Sequence, residues 1–200
     1  PIPIGTIAAQ VQVNGELDRP QILATFQAPQ ALYPTNGEVE IIGTTATLRN
    51  TSVQFPTGNL GLVGAISLDG KRPWQLQLTS NGIPLSIFPT LPDALKSGNL
   101  FGLIKLNSPE GSFEPKEIRA SGNIDLRLQV IKEAIAATVN WNGKDLIIPR
   151  LQLGDYLGGN GIIALNPKLT IEKVDFNLRS LSSQRISRFQ TLLPTSQTSS

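Results

Sequence analysis

Residues 118–130 read Ile118-Arg119-Ala120-Ser121-Gly122-Asn123-Ile124-Asp125-Leu126-Arg127-Leu128-Gln129-Val130, with an apolar residue or glycine at every second position. All the intervening positions are polar or charged. A period of two sends the two sets to opposite faces of a strand, whereas a helix would spread both around its circumference. This stretch is therefore a β-strand with one apolar face. The same alternation extends outward in both directions. Upstream it appears in Ile7, Ala9, Val11 and Val13, then in Ile22, Ala24, Phe26 and Ala28. It recurs in Leu60, Leu62, Gly64, Ile66 and Leu68, and in Trp74, Leu76 and Leu78. Downstream come Ile135, Ala137, Val139 and Trp141, then Leu151 and Leu153, then Gly161, Ile163 and Leu165, and finally Val174, Phe176 and Leu178.

Turn-forming residues punctuate these runs. Asp18-Arg19-Pro20 and Asp69-Gly70 separate strands, and Asn14-Gly15, Asn36-Gly37, Asn81-Gly82 and Asn142-Gly143 each have the composition of a tight turn. Short strands so spaced predict an antiparallel meander. Two stretches depart from it. Ile83-Pro84-Leu85-Ser86-Ile87-Phe88-Pro89 and Leu91-Pro92-Asp93-Ala94-Leu95 carry prolines that disfavour a central strand and predict a loop with a helical turn. Ser182-Ser183-Gln184 before Ile186, Phe189, Leu192 and Leu193 predicts a short amphipathic helix, followed by a polar tail, 195–200.

The order of elements repeats. Gly5 to Asn14 aligns with Gly98 to Asn107, Ile22 to Ala28 with Ile118 to Asp125, Asn59 to Leu68 with Gly158 to Leu165, and Trp74 to Leu78 with the strand of 171–178. The expected organisation is a first β repeat over 1–95 and a second over 96–194. Units that leave their edges open stack on neighbours, so the sequence is expected to be a piece of a longer array. The absence of Met, even at position 1, agrees with that expectation.

Composition narrows the chemistry. Apolar residues make up 40% of the 200 residues, but charged residues only 16%, which leaves unusually few charges for a wetted surface. The net charge is +2, and the cations are scattered apart from Lys71-Arg72 and Arg179, Arg185 and Arg188; no basic stripe interleaved with aromatics marks a nucleic-acid surface. There is no Cys and no His, hence no disulfide, no thiolate metal site and none of the commonest general base. Asp18, Asp69, Asp125, Asp155 and Asp175 are the acids an enzyme would use, but they fall in turns or on polar phases with no partner in motif spacing. Gly158-Gly159-Asn160-Gly161 leads into a strand, whereas a phosphate loop leads into a helix. Tyr33 and Tyr156 stand beside Pro or Gly turns as rim residues, and Trp74 and Trp141 lie on apolar phases as core anchors. The chain is expected not to be an enzyme and to need no cofactor or metal.

Three features resemble the TamB and AsmA-like family of bacterial envelope proteins. They are the Gly-led strand openings Gly5-Thr6-Ile7 and Gly98-Asn99-Leu100, the strand-turn-strand phrase Thr47 to Pro56 followed by Leu60 to Leu68, and the short Ile83 to Phe88 phrase between repeats. The Pro- and Gln-rich flavour is similar to that of cyanobacterial members. The resemblance implies an all-β fold, an antiparallel repeat sheet curved into an open U-shaped trough, with short helical elements at the repeat junction and the C-terminus. It also implies a periplasmic segment of an inner-membrane-anchored protein. Its expected partners are phospholipid or glycolipid acyl chains, and an outer-membrane barrel assembly partner engaged through regions outside this segment.

On this reading the groove is lined by Ile7, Ala9, Val11, Ile22, Ala24, Phe26, Leu62, Gly64, Ile66, Leu76, Ile124, Leu126, Leu128, Val139, Ile163 and Phe176. Small residues on the apolar phase, including Ala9, Ala24, Ala28, Gly64, Ala120, Gly122, Ala137 and Gly161, either leave room for a flexible chain or serve tight sheet-on-sheet packing. The alternative to a lipid groove is a structural scaffold or an adhesin-like β-sandwich module without lipid.

Overall fold

The computed structural model describes residues 6–16, 19–89, 91, 93–129, 131–155, 157–164 and 170–178. The expected amphipathic helix after Ser182, the tail, Asp18, Pro92, Val130, Tyr156, Leu165 and the Arg179, Arg185 and Arg188 group lie outside them. Twelve strands run in sequence order: β1 (Ala8–Glu16), β2 (Arg19–Ala28), β3 (Thr35–Ile42), β4 (Thr45–Gln54), β5 (Asn59–Ser67) and β6 (Trp74–Pro84), then β7 (Asn99–Ser108), β8 (Arg119–Arg127), β9 (Ile135–Trp141), β10 (Asp145–Leu153), β11 (Leu157–Ala164) and β12 (Thr170–Leu178). Each strand pairs antiparallel with the next, and among the described residues all twelve belong to one sheet with β1 and β12 outermost. The fold is thus all-β and open, an unclosed antiparallel meander. A 3-10 turn, Leu85–Ile87, and the short α1 (Asp93–Lys96) form the helical junction between β6 and β7.

The pairings place every interior apolar phase on one face. On β8 the residues Ala120, Gly122, Ile124 and Leu126 are half-buried, while Arg119, Ser121, Asn123, Asp125 and Arg127 are exposed. Among the described residues no second sheet covers the apolar side. Its side chains are half-buried by their neighbours along and across the strands. The open sheet is consistent with a curved trough.

The fully buried apolar residues tell the same story. Ala28, Ala46, Trp74, Ile83, Leu85, Leu128, Leu153 and Ala164 all lie at strand ends or in the connections. At one rim, Leu85 and Leu128 close around Gly98, where an added Cβ would stand 3.2 Å from Leu85 Cδ1 and nearer still to Leu128 Cδ2. At the opposite rim, Trp74 stacks on Phe113 with ring centroids 5.2 Å apart, and its indole N–H donates to the carbonyls of Gly111 and Ser112, each at 3.1 Å. Those bonds satisfy the one polar group of a buried indole and fasten the β7–β8 connection to the sheet.

Three sequence expectations change in the structure. Of the four Asn-Gly pairs, only Asn142-Gly143 forms a hairpin turn; Asn14-Gly15, Asn36-Gly37 and Asn81-Gly82 lie inside β1, β3 and β6. Asn36 and Gly37 are ladder partners of Gln27 and Phe26, so cross-strand pairing outweighs local turn preference there. The phrase Thr47 to Pro56 is a single strand up to Gln54, with a bulge at Arg49-Asn50 and Asn50 at φ 49°, where a strand-turn-strand was expected. The ladder of β6 continues past a shift at Asn81/Ile83 to Pro84, which pairs with Asn99. A proline is tolerated there as the last residue of the strand, before the helical junction.

The halves match in register as well as in order. Six strands precede the helical junction and six follow it. β3 and β4 turn through Gly43 (φ 58°), and β9 and β10 turn through Gly143 (φ 97°), the corresponding position. β4 carries its bulge between Leu48 and Thr51 opposite Gly64 and Leu62, and β10 carries one between Ile148 and Leu151 opposite Gly161 and Gly159. The two halves are nonetheless one continuous sheet, joined by the β6–β7 ladder from Trp74–Ser108 to Pro84–Asn99.

Candidate functional site

Register, followed from strand to strand, assembles the candidate site. Directly opposed residues share a face in an antiparallel pair. One row reads Val11, Ala24, Val39, Leu48, Gly64, Leu76, Leu106, Ala120, Trp141, Leu146 and Ile163, crossing from β1 to β11 without a polar side chain. A parallel row from β5 to β9 reads Leu62, Leu78, Ile104, Gly122 and Val139. A third pairs Leu60, Ser80, Gly102, Ile124, Ala137, Leu151, Gly159 and Phe176. Its hydroxyl is satisfied, because Ser80 Oγ donates to the Leu100 carbonyl at 2.6 Å.

The structure brings the sequence-derived lining residues onto this face. Ala9, Val11, Ile22, Ala24, Phe26, Leu62, Gly64, Ile66, Leu76, Ile124, Leu126, Val139, Ile163 and Phe176 all occupy the apolar register. Ile7 immediately precedes β1 and is exposed. Leu128 is only 5% exposed beneath the β6–β7 junction and belongs to the closed rim, not the open lining. Sequence reasoning missed Val39, Ile41, Leu48, Leu146 and Ile148. Their strands were obscured by Asn36-Gly37, by the Arg49-Asn50 bulge and by Pro149, yet Val39 and Ile41 alternate with Glu38 and Glu40, a signal of period two.

Gly64 has a different role from the one its size implied. Its φ is 141°, and an added Cβ would stand 2.8 Å from Leu76 Cα and closer still to the Gln75 carbonyl oxygen. Gly122 likewise faces backbone, with Ile104 Cα at 2.8 Å from an added Cβ. At these two positions glycine permits close approach of the neighbouring strand; it does not open space for a ligand.

The opposite face carries most of the polar and charged side chains, with Val63 and Leu103 exposed among them. Arg49 pairs with Glu40 and lies 3.8 Å from Glu38, and Thr138 Oγ1 donates to Asn123 Oδ1 at 2.9 Å. A shallow depression of about 490 Å³ on this side is bounded by Gln75, Gln77, Lys105, Asn107, Arg119 and Ser121, with Val63, Leu76, Leu106 and Ala120 also in its lining.

The candidate acids are dispersed. Asp69, in the β5–β6 turn, accepts from the Ser67 hydroxyl and from the Lys71 amide at 3.1 Å, and these bonds hold its carboxyl below the usual range. Asp175 pairs with Lys173 at 3.1 Å on β12; Asp125 lies on the polar face of β8 and Asp155 in an exposed turn. Among the described residues no group of three carboxylates converges as a metal site. Tyr33 packs on Phe55, with centroids 4.9 Å apart, at the β2–β3 connection. Trp141 is half-buried, and its N–H donates to the Pro115 carbonyl at 3.1 Å. Among the described residues no helix is long and apolar enough to cross a membrane. Comparison with protein families, curated proteins and solved structures finds no match.

Proposed function

We propose that this chain is a segment of an envelope-spanning protein, in which the apolar trough carries lipid acyl chains between inner and outer membranes or serves outer-membrane protein assembly. The observation that carries the reading is the apolar row from Val11 to Ile163, over which no described element packs as a second layer. Eleven strands at a spacing of about 4.8 Å make that row about 48 Å long. An acyl chain lying on it is shielded from water along its length, at about 0.8 kcal/mol for each buried CH₂. Transfer along such a surface needs no nucleophile or proton donor, because every step exchanges one apolar contact for another. The sandwich alternative requires a second sheet packed over this face, and all twelve strands belong to one sheet.

The test is lipid extraction and mass spectrometry of the purified chain, together with photo-crosslinking from Ile124 and Leu126. Phospholipid or glycolipid bound in near-stoichiometric amount, and adducts from both positions, are the expected results. A lipid-free protein that yields no adduct from any position of the row would refute transport and leave a plain scaffold.

A further inference from the structure

The two halves of the sheet differ in charge at matching places of their polar face. From the equivalent Gly43 and Gly143 turns, the ladders match Ile41 with Trp141, Ile22 with Ala120 and Val13 with Leu106. On the polar face the same register matches Gln12 with Lys105, Gln21 with Arg119, Glu38 with Thr138 and Glu40 with Asn140. Asn14 and Asn107 match as identical residues. Each of the four differences makes the second half more positive.

In the first half the matching residues satisfy one another. Gln21 Nε2 donates to Glu40 Oε1 at 2.5 Å, and Arg49 pairs with Glu40 and lies 3.8 Å from Glu38. In the second half the acids are replaced and two cations stand in their absence. Among the described residues neither Lys105 nor Arg119 has a carboxylate within ion-pair distance; Glu114, in the nearby β7–β8 connection, pairs with Lys116 at 2.8 Å. Lys105 is opposite Ser121 and Arg119 opposite Asn107, so the two cations are diagonal neighbours on one face. Diagonal positions stand about 7–8 Å apart, within reach of long side chains. Arg119 Nη1 donates to the carbonyls of Lys116 at 2.8 Å and Ile118 at 3.2 Å, which fixes the guanidinium and leaves Nε and Nη2 to donate elsewhere.

Both cations border the depression of about 490 Å³ on this face. Its other polar side chains, Gln75, Gln77, Asn107 and Ser121, all carry N–H or O–H donors, and no carboxylate lines it. We propose that this depression binds a phosphate group, with Arg119 and Lys105 on its oxygens and the neighbouring amides and hydroxyl completing the shell. A guanidinium matches two phosphate oxygens in a plane, and the ammonium adds a point charge from the next strand. Donors converge here from β6, β7 and β8 and bring two positive charges. A phosphate ester supplies three acceptor oxygens and a charge of about −2 to meet them, where a carboxylate has one charge and two oxygens. The bound anion also relieves repulsion between two like charges that no acid separates. The site is on the face opposite the apolar rows, and it does not depend on the trough carrying lipid.

Amide NMR of the full chain, titrated with inorganic phosphate against chloride at constant ionic strength, tests the site. Phosphate should move the signals of Lys105, Asn107, Arg119 and Ser121 and leave those of the matching Gln12 and Gln21 in place. The double variant Lys105→Gln with Arg119→Gln copies the first half; it should keep the circular dichroism spectrum and bind about tenfold more weakly. Lys105→Gln alone, which leaves the Arg119 bonds to the β7–β8 connection intact, should lose part of the affinity, and Lys132→Gln at the other rim should lose none. With those shifts seen, vesicles separate the sources of the phosphate. Co-sedimentation with phosphatidylglycerol vesicles that the double variant loses identifies a lipid headgroup, and phosphate shifts without such co-sedimentation identify a soluble phosphate compound; both support the site. Phosphate that moves no signal around the depression, or that moves them equally in the double variant, would overturn the proposal.

Discussion

Gly64→Ala measures how much the close approach of β5 and β6 depends on a missing side chain. At φ 141° an L residue is strained, at a cost of about 1–3 kcal/mol. The new Cβ also collides with backbone, Leu76 Cα at 2.8 Å and the Gln75 carbonyl, so strand β6 must shift. Forced displacement of packed structure costs about 1–3 kcal/mol more, for a sum of about 2–6 kcal/mol. Against a whole-domain stability of roughly 5–15 kcal/mol the loss is large. Gly61→Ala supplies the control on the same strand, where the nearest atom to an added Cβ is Thr79 O at 3.8 Å and φ is not left-handed. That change should be neutral or stabilise by up to about 1 kcal/mol. Urea unfolding followed by tryptophan fluorescence reads both, since Trp74 lies at the start of β6. The Gly64→Ala midpoint should fall with the slope unchanged. If the two variants differ by less than about 1 kcal/mol, the strained contact does not exist as described.

Trp74→Phe keeps the stack on Phe113 but leaves the Gly111 and Ser112 carbonyls without their donor, and should cost about 1–3 kcal/mol in thermal or urea unfolding. The Asp69 carboxyl should titrate below the ordinary aspartate range by carbonyl NMR, and Ser67→Ala, which removes the largest cause, should move it upward. Because its folded value is depressed, any stability it lends is present above the unfolded pKa and fades as pH falls through the folded one. Leu76→Asp places an unpaired carboxylate in the middle of the apolar row and should lower bound lipid about tenfold, while Gln75→Asp on the opposite face should leave it unchanged; equal loss from both would argue against the groove.

The sequence carried the strand content and the identity of the apolar face, because period two survives wherever a strand has one wet side. Along β8 the alternation from Arg119 to Arg127 is visible both in the residue types and in the exposure. Local turn chemistry was the weaker guide. Asn36-Gly37 has the composition of a hairpin turn, yet its backbone is held by the β2 ladder through Gln27 and Phe26. Pairing partners distant in sequence decide such cases, and a local window does not contain them. The glycines of the lining misled for a related reason. Residue size is legible in sequence, but whether an absent Cβ admits a ligand or a neighbouring backbone depends on where the next strand passes. At Gly64 and Gly122 it passes within contact.

A single curved layer also explains how a sheet with so few fully buried residues holds together. Burial is concentrated at the rims, around Trp74 on one side and Leu85 with Leu128 on the other, while the middle of each strand depends on its two ladder neighbours. Stability in such an array grows with each added strand as a sum of nearest-neighbour terms, much as in other repeat proteins. Adding strands therefore lengthens the sheet by repeating one nearest-neighbour contact, as the β6–β7 ladder already does where the two halves meet. The bulges of β4 and β10, opposite Gly64 and Gly161, recur at matching points of that growth. A bulge bends its strand and increases local twist. Spaced once per half, they place the same local kink and extra twist in each repeat.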